Sequence, residues 1–104
     1  MDKEQLNNIL KLHKRWIDGE DGGVKADFTG ANLGGADFTG ANFTGANLSG
    51  ADLSGASLGR VNLRDVYLSG ADLRGVDLSD VDLSGAWRVR ETFARRSNKG
   101  GRDE

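Results

Sequence analysis

Residues 26–85 read ADFTG-ANLGG-ADFTG-ANFTG-ANLSG-ADLSG-ASLGR-VNLRD-VYLSG-ADLRG-VDLSD-VDLSG, which is twelve consecutive blocks of five residues. Every block has Ala or Val in its first position and Leu or Phe in its third. A fixed short period predicts a repeat architecture, in which each unit buries its apolar side chains against neighbouring units. The repeat therefore decides the fold class and carries little information about chemistry.

The order of residues within a block indicates its local shape. The first three positions alternate apolar, polar and apolar, as an extended segment with one buried face requires. The last two are mostly Ser or Thr and then Gly, which are turn residues, and Gly suits a corner with positive φ. A chain that repeats this pattern must coil, with the third positions inside. These core positions are Phe28, Leu33, Phe38, Phe43, Leu48, Leu53, Leu58, Leu63, Leu68, Leu73, Leu78 and Leu83.

Tandem A(D/N)LXX blocks are the signature of pentapeptide-repeat proteins, which this chain resembles over 60 of its 104 residues. The resemblance implies an all-β solenoid: a right-handed quadrilateral β-helix with four blocks to a coil and about three coils. It divides the chain into an N-terminal segment (1–25), a repeat body (26–86) and a C-terminal segment (87–104). A coil of four blocks also predicts columns of side chains, such as Phe43 over Leu63 and Leu83 inside the body, and Asp52 over Asp72 outside it.

Three corners lack glycine, at Arg60, Asp65 and Asp80. Arginine adopts the left-handed backbone conformation poorly, so we expect a different type of turn at Arg60. The same 20-residue spacing predicts that Arg60 lies over Asp80, in a surface ion pair worth less than about 1 kcal/mol.

The N-terminal segment has the pattern of an amphipathic helix over residues 2–18. Asp2 followed by Gln5 fits a helix start, and Asp18 followed by Gly19 fits a stop. The helix is expected to cap the first coil, because the exposed end of a solenoid needs a cover. Membrane binding is the alternative, and the balanced charges of the segment argue against it. The residues expected to make the cap contact are Leu6, Ile9, Leu10, Trp16 and Ile17.

The C-terminal segment begins where the period breaks, at Trp87 and Arg88. Trp87 and Phe93 supply apolar surface for a second cap or for self-association, and the final RRSNKGGRDE has the composition of a flexible tail. In the resembled family, dimers form through C-terminal coils, which implies a homodimer through this end.

The composition favours a cytoplasmic protein without enzymatic activity. There is no cysteine, no apolar run long enough to span a bilayer and no signal-peptide core at the N-terminus. The only histidine, His13, lies on the apolar stripe of the helix and is interpreted as a packing residue. No catalytic site, cofactor site or metal site is predicted. The outward carboxylates, Asp37, Asp52, Asp72, Asp77 and Asp82, are interpreted as a solvated polar face, with a Ca²⁺ site as the alternative.

The function predicted from these features is that of a protein–protein interaction module whose partner the sequence does not identify. Departures from the repeat are the expected interaction surface, with neutral drift as the alternative: Arg60, Arg64, Tyr67 and Arg74, together with Trp87 and Phe93. The resemblance also implies an alternative, a mimic of B-form DNA that binds a type II topoisomerase such as gyrase. The repeat body carries eight acids and three bases, a net charge of −5, which has the required sign. The basic tail raises nucleic-acid binding as a third hypothesis, which is not favoured.

Overall fold

The computed structural model describes residues 2–86. The predictions for Trp87, Phe93, the flexible tail and a C-terminal dimer contact concern residues 87–104, which lie outside the described residues.

The chain begins with one α-helix, α1, at Lys3–Ile17. Asp2 forms a capping box with Gln5: its side chain accepts a hydrogen bond from the Gln5 N–H at 2.8 Å, while the Gln5 side chain accepts one from the Asp2 N–H at 3.0 Å. The helix ends at Asp18, and Gly19 follows with φ +72°. The bounds agree with the predicted helix over 2–18.

The repeat region is held together by isolated parallel β-bridges, each joining a residue to the one 20 positions later. Asp27 pairs with Asn47, which pairs with Tyr67, and Asn42 pairs with Asn62, which pairs with Asp82. The chain therefore returns to the same side after four blocks. Longer strands do not form in the described repeat because a turn interrupts every block after three residues. Main-chain hydrogen bonds flank each bridge, as in Phe28 N–H to Asn47 O at 2.7 Å and Asn47 N–H to Ala26 O at 3.1 Å.

In most blocks the polar second position stabilises the turn that follows it. In ten blocks its Asp or Asn Oδ1 accepts a hydrogen bond from the N–H two residues ahead. This is an Asx-turn, which lets a short side chain take the place of a backbone acceptor. The outward Asp and Asn residues are therefore structural as well as solubilising, a role that the sequence analysis did not assign.

The twelve third-position side chains form the interior, and none is more than 3% exposed. The three phenylalanines nearest α1 pack edge to face: the Phe43 ring lies 5.8 Å from Phe28 and 5.0 Å from Phe38, between centroids. Val61, Val66, Val76 and Val81 are also buried, further along the axis. The bulkiest third-position side chains, the phenylalanines, thus lie at the end of the repeat next to α1. Valine replaces alanine at first positions toward the opposite end.

The expectation of a different turn at Arg60 is wrong. Its φ is +56°, close to +58° at Asp65 and +62° at Asp80, and within the same left-handed region as the corner glycines. The reason is that the neighbouring hydrogen bonds fix the corner whatever residue occupies it: Val61 N–H still donates to Leu58 O at 3.2 Å. The predicted Arg60–Asp80 ion pair stays a prediction.

Replacing Arg60 by glycine is expected to stabilise the protein by about 1 kcal/mol. A non-glycine residue in the left-handed region costs roughly 1–2 kcal/mol, and the greater conformational entropy of glycine in the unfolded chain offsets part of the gain. Urea denaturation followed by circular dichroism measures the change. A matched Arg64→Gly variant tests for a simple effect of lost charge, because Arg64 has no positive φ. A destabilised Arg60→Gly variant would contradict the interpretation.

Helix α1 packs against the hydrophobic core of the repeat through Leu6, Ile9 and Leu10. His13 is fully buried beneath it, and its Nδ1 accepts a hydrogen bond from the Ala26 N–H at 2.9 Å. This bond requires an unprotonated Nδ1, so His13 both packs and ties the helix to the first block of the repeat.

Stability is expected to fall when the pH drops below about 6.5, the ordinary pKa of histidine. Burial lowers the pKa of His13, and the nearby Lys25 charge acts in the same direction, although the Phe43 and Thr44 carbonyls oppose them. Between the pKa of His13 in the folded protein and pH 6.5, the unfolded chain binds more protons than the folded chain. The free energy of unfolding therefore falls as the pH is lowered through this range, by no more than about 1.4 kcal/mol per pH unit.

Urea midpoints measured from pH 8 to pH 5 test this expectation, with His13→Gln as the control that retains an acceptor and cannot titrate. The pKa values of Asp27, Asp37 and Asp52 are lowered from 3.8, chiefly by hydrogen bonds from Thr29, Thr39 and Ser54. Their contribution is present above pH 3.8 and is lost only below it. A midpoint that falls equally in both proteins between pH 6.5 and pH 5 would rule His13 out.

Candidate interaction surface

Three large hydrophobic side chains are exposed within residues 2–86, and all three adjoin Lys25. They are Trp16 at 41%, Val24 at 55% and Tyr67 at 42% exposure. The Lys25 Nζ lies 5.9 Å from the centroid of the Trp16 ring and 5.4 Å from that of Tyr67, while Val24 precedes it in the chain. We call these four residues the Lys25 patch.

Trp16 is fixed by contacts on two sides. Its ring stacks on His13, with centroids 5.4 Å apart and planes 19° from parallel. Its far edge reaches the repeat at Gly45, where an added Cβ would lie 3.0 Å from the Trp16 Cη2 atom. The residue predicted to belong to the cap contact thus touches the repeat and also presents part of its ring to solvent.

Tyr67 stands in the outward column formed by Asp27 and Asn47. It occupies the second position of its block, where ten other blocks have an Asp or Asn that bonds to the following turn. A tyrosine side chain cannot make that bond. The backbone keeps its place in the ladder, because the Tyr67 N–H donates to Ala46 O at 3.1 Å. In this block an aromatic side chain therefore replaces the Asp or Asn side chain that hydrogen-bonds to the following turn in ten other blocks.

Lys25 is positioned by the short link between α1 and the first block. The Val24 N–H donates to Leu12 O at 3.0 Å, and the Ala26 N–H donates to His13. Lys25 therefore sits between two residues whose backbones are tied to the helix. Across residues 2–86 no carboxylate lies within 4 Å of its ammonium group. The two aromatic faces each contribute a cation–π contact worth about 0.5–1 kcal/mol at an exposed site.

A cavity of about 220 Å³ opens beside Lys25 between the helix and the link. It is lined by Ile9, Leu12, Val24, Lys25, Ala26 and Asp27. The Asp27 Oδ1 is engaged by the Thr29 N–H at 3.0 Å and by the Thr29 hydroxyl at 2.5 Å. A second groove on the opposite side of the helix is lined in part by Leu10, Ile17 and Ala41, which is where the predicted cap residue Ile17 lies.

Of the predicted surface residues within 2–86, Tyr67 belongs to the Lys25 patch, and Arg60, Arg64 and Arg74 do not. Arg74 is on another column and pairs with Asp72, its Nη2 2.6 Å from Oδ2. This pair stands where Asp52 stacks on Asp72, as predicted, and it lowers the pKa of Asp72. Arg60 and Arg64 are exposed on further corners. Lys25 and Val24 were not predicted as surface residues, since they lie outside the repeat pattern.

No group of three or more acidic or histidine side chains within 2–86 is arranged to hold a metal ion. None of the helical structure in that range has the length and apolar character needed to cross a bilayer. The arrangement can dock another molecule against an aromatic and cationic surface.

Comparisons with known proteins place this geometry in a family. The family model for pentapeptide repeats matches residues 24–60 and 56–87, which is more than half of the chain. A comparison with curated protein sequences gives no match.

Two solved structures are similar to the chain. HetL, a pentapeptide repeat protein involved in heterocyst differentiation regulation in the cyanobacterium Nostoc, is 30% identical over 74% of this chain, with a TM-score of 0.62. A pentapeptide repeat protein of the Arabidopsis thaliana thylakoid lumen is 26% identical over 69% of it, with a TM-score of 0.53. The chain covers 37% of HetL and 59% of the plant protein.

These matches agree with the 20-residue spacing of the β-bridges and with the burial of the third-position Leu and Phe side chains. The chain belongs to the pentapeptide-repeat family, whose members fold as right-handed β-helices.

Proposed function

We propose that this protein is a non-enzymatic scaffold that binds a protein partner through the Lys25 patch. In this proposal the repeat forms a quadrilateral body of about three coils, and α1 caps the first of them. The cap has a second role, because it brings Trp16 next to Tyr67 and Lys25. The binding surface exists only where helix, link and repeat meet.

The observation that carries the proposal is the clustering of exposed large side chains. Trp16, Val24 and Tyr67 are far apart in sequence, yet they adjoin a single lysine. Aromatic side chains held in place by the fold are the commonest energetic anchors of protein interfaces. Tyr67 strengthens the argument, since ten of the eleven other blocks have Asp or Asn at this position.

Affinity capture from the source organism tests the proposal with two variants that restore the repeat pattern at different places. Tyr67→Asn removes the aromatic anchor and supplies an Asx-turn residue. Arg64→Ser supplies the usual fourth-position residue at the corner just before Tyr67, without changing a residue of the Lys25 patch. We expect a partner that is retained by the wild-type protein and by Arg64→Ser, and reduced about tenfold by Tyr67→Asn. Equal recovery with all three baits would overturn the proposal.

Binding to a type II topoisomerase by mimicry of DNA is the second candidate, favoured by the net charge of −5 over residues 26–86. Duplex DNA presents two continuous rows of charge. The outward carboxylates here are instead divided among all four columns, at Asp27, Asp37, Asp52, Asp72 and Asp82. Inhibition of gyrase supercoiling that survives in Tyr67→Asn would favour this candidate over the Lys25 patch.

A further inference from the structure

Within residues 2–86, the Lys25 ammonium group has no carboxylate in ion-pair range. It lies near the faces of the Trp16 and Tyr67 rings. An ammonium group has three donors, and a carboxylate is its strongest partner. Lys14 differs, since its ammonium already donates to Asp18 at 2.8 Å. The site next to the rings is therefore suited to an incoming anion.

The adjoining cavity is suited to an aliphatic group. Ile9, Leu12 and Val24 supply apolar walls, and the volume of about 220 Å³ is sufficient for one branched side chain. Burying such a side chain contributes about 1.5–3 kcal/mol. Because Lys25 lines the same cavity, a ligand that fills it brings its next residue to the ammonium group.

We propose that the Lys25 patch recognises an acidic segment of a partner protein in which a carboxylate side chain neighbours an aliphatic one. The inference rests on the proposed function and adds the chemistry of the partner to it. The carboxylate pairs with Lys25 between the rings of Trp16 and Tyr67, and the aliphatic side chain enters the cavity. A basic segment would place its charges against Lys25 and is disfavoured.

Asp27 provides a variant that should bind more tightly, because it lines the same cavity and carries the same charge as the proposed ligand. Replacing it by asparagine removes the repulsion and keeps the turn, since Asn32, Asn42 and Asn47 make the same bond in their blocks. Asp27→Asn is therefore expected to bind the acidic segment more tightly. A role of this region in folding alone would not produce a gain in binding.

The test uses three fluorescein-labelled peptides and fluorescence anisotropy with the full chain. The first is Gly-Leu-Glu-Leu-Glu-Gly, the second replaces each Glu by Lys, and the third replaces each Leu by Ser. We expect binding of the first peptide alone, weakened by added salt. Lys25→Gln should weaken it about tenfold, the effect of losing a hydrogen bond between charged groups. Lys25→Arg should retain it, and Asp27→Asn should strengthen it about threefold.

The exposed Lys11, on α1, supplies the control: Lys11→Gln makes the same change of charge outside the Lys25 patch and should bind within about twofold of the wild-type protein. Circular dichroism verifies that each variant is folded. Equal affinity for the Glu and Lys peptides, no binding of the Glu peptide by the wild-type protein, or the same loss in Lys11→Gln and Lys25→Gln would each overturn the inference. If the captured partner depends on Tyr67 but is not displaced by the Glu peptide, the proposed function stands and this inference fails.

Discussion

Replacing Phe43 by alanine is expected to lower the free energy of unfolding by about 3–5 kcal/mol. The side chain is fully buried and contacts the rings of Phe28 and Phe38 edge to face. The substitution takes away the transfer free energy of a phenyl ring, leaves a cavity and breaks two aromatic contacts. Domains of this size are stable by about 5–15 kcal/mol, so the variant should be close to unfolding at room temperature.

Phe43→Leu is the matched control, because leucine occupies the corresponding position in the next coils, at Leu63 and Leu83. Its cost should be about 1–1.5 kcal/mol, since the position stays filled. Urea denaturation followed by circular dichroism gives both values. Similar losses for the two variants would mean that the first coil does not form a packed interior.

The Gly23→Ala variant is expected to lose about 1–3 kcal/mol of stability, the cost of inserting an atom where none fits. A Cβ at Gly23 would overlap the backbone nitrogen of Trp16 and lie 2.6 Å from its Cα. Backbone atoms of a helix cannot give way as the end of a side chain does. The link must therefore lift from α1, which weakens the Val24 N–H bond to Leu12 and shifts Lys25.

Gly34→Ala is the control for Gly23→Ala. Gly34 has no positive φ, and an added Cβ would meet nothing nearer than Ser54 O at 3.5 Å, an ordinary contact. Its stability should stay within about 0.5 kcal/mol of the wild-type value. Thermal unfolding of both variants tests the pair, and an unchanged midpoint for Gly23→Ala would contradict the packing of the link on the helix.

The five-residue period was sufficient to predict the repeat fold, because a strict period leaves few ways to bury the same two positions in every block. The coil of four blocks was implied by the family resemblance, and it predicted columns such as Asp52 over Asp72. The turn at Arg60 was mispredicted because a single-residue preference of about 1–2 kcal/mol was weighed without the hydrogen bonds on either side of the corner.

The binding surface was only partly predictable. Tyr67 stood out because it departs from a strict pattern. Lys25, Val24 and the exposed part of Trp16 did not, because their proximity depends on how the link folds back over α1. The one local signal was Gly22-Gly23, which permits the close approach to the helix but does not specify which side chains follow it.

Chemical-shift mapping of the ¹⁵N-labelled protein with the Glu peptide, or with the captured partner, locates the binding surface residue by residue. We expect the largest changes on the amides of Trp16, Val24, Lys25 and Tyr67, with a shift of the Trp16 indole N–H. Changes confined to the columns of Asp37 and Asp72, with the Lys25 patch unaffected, would show that the patch does not bind.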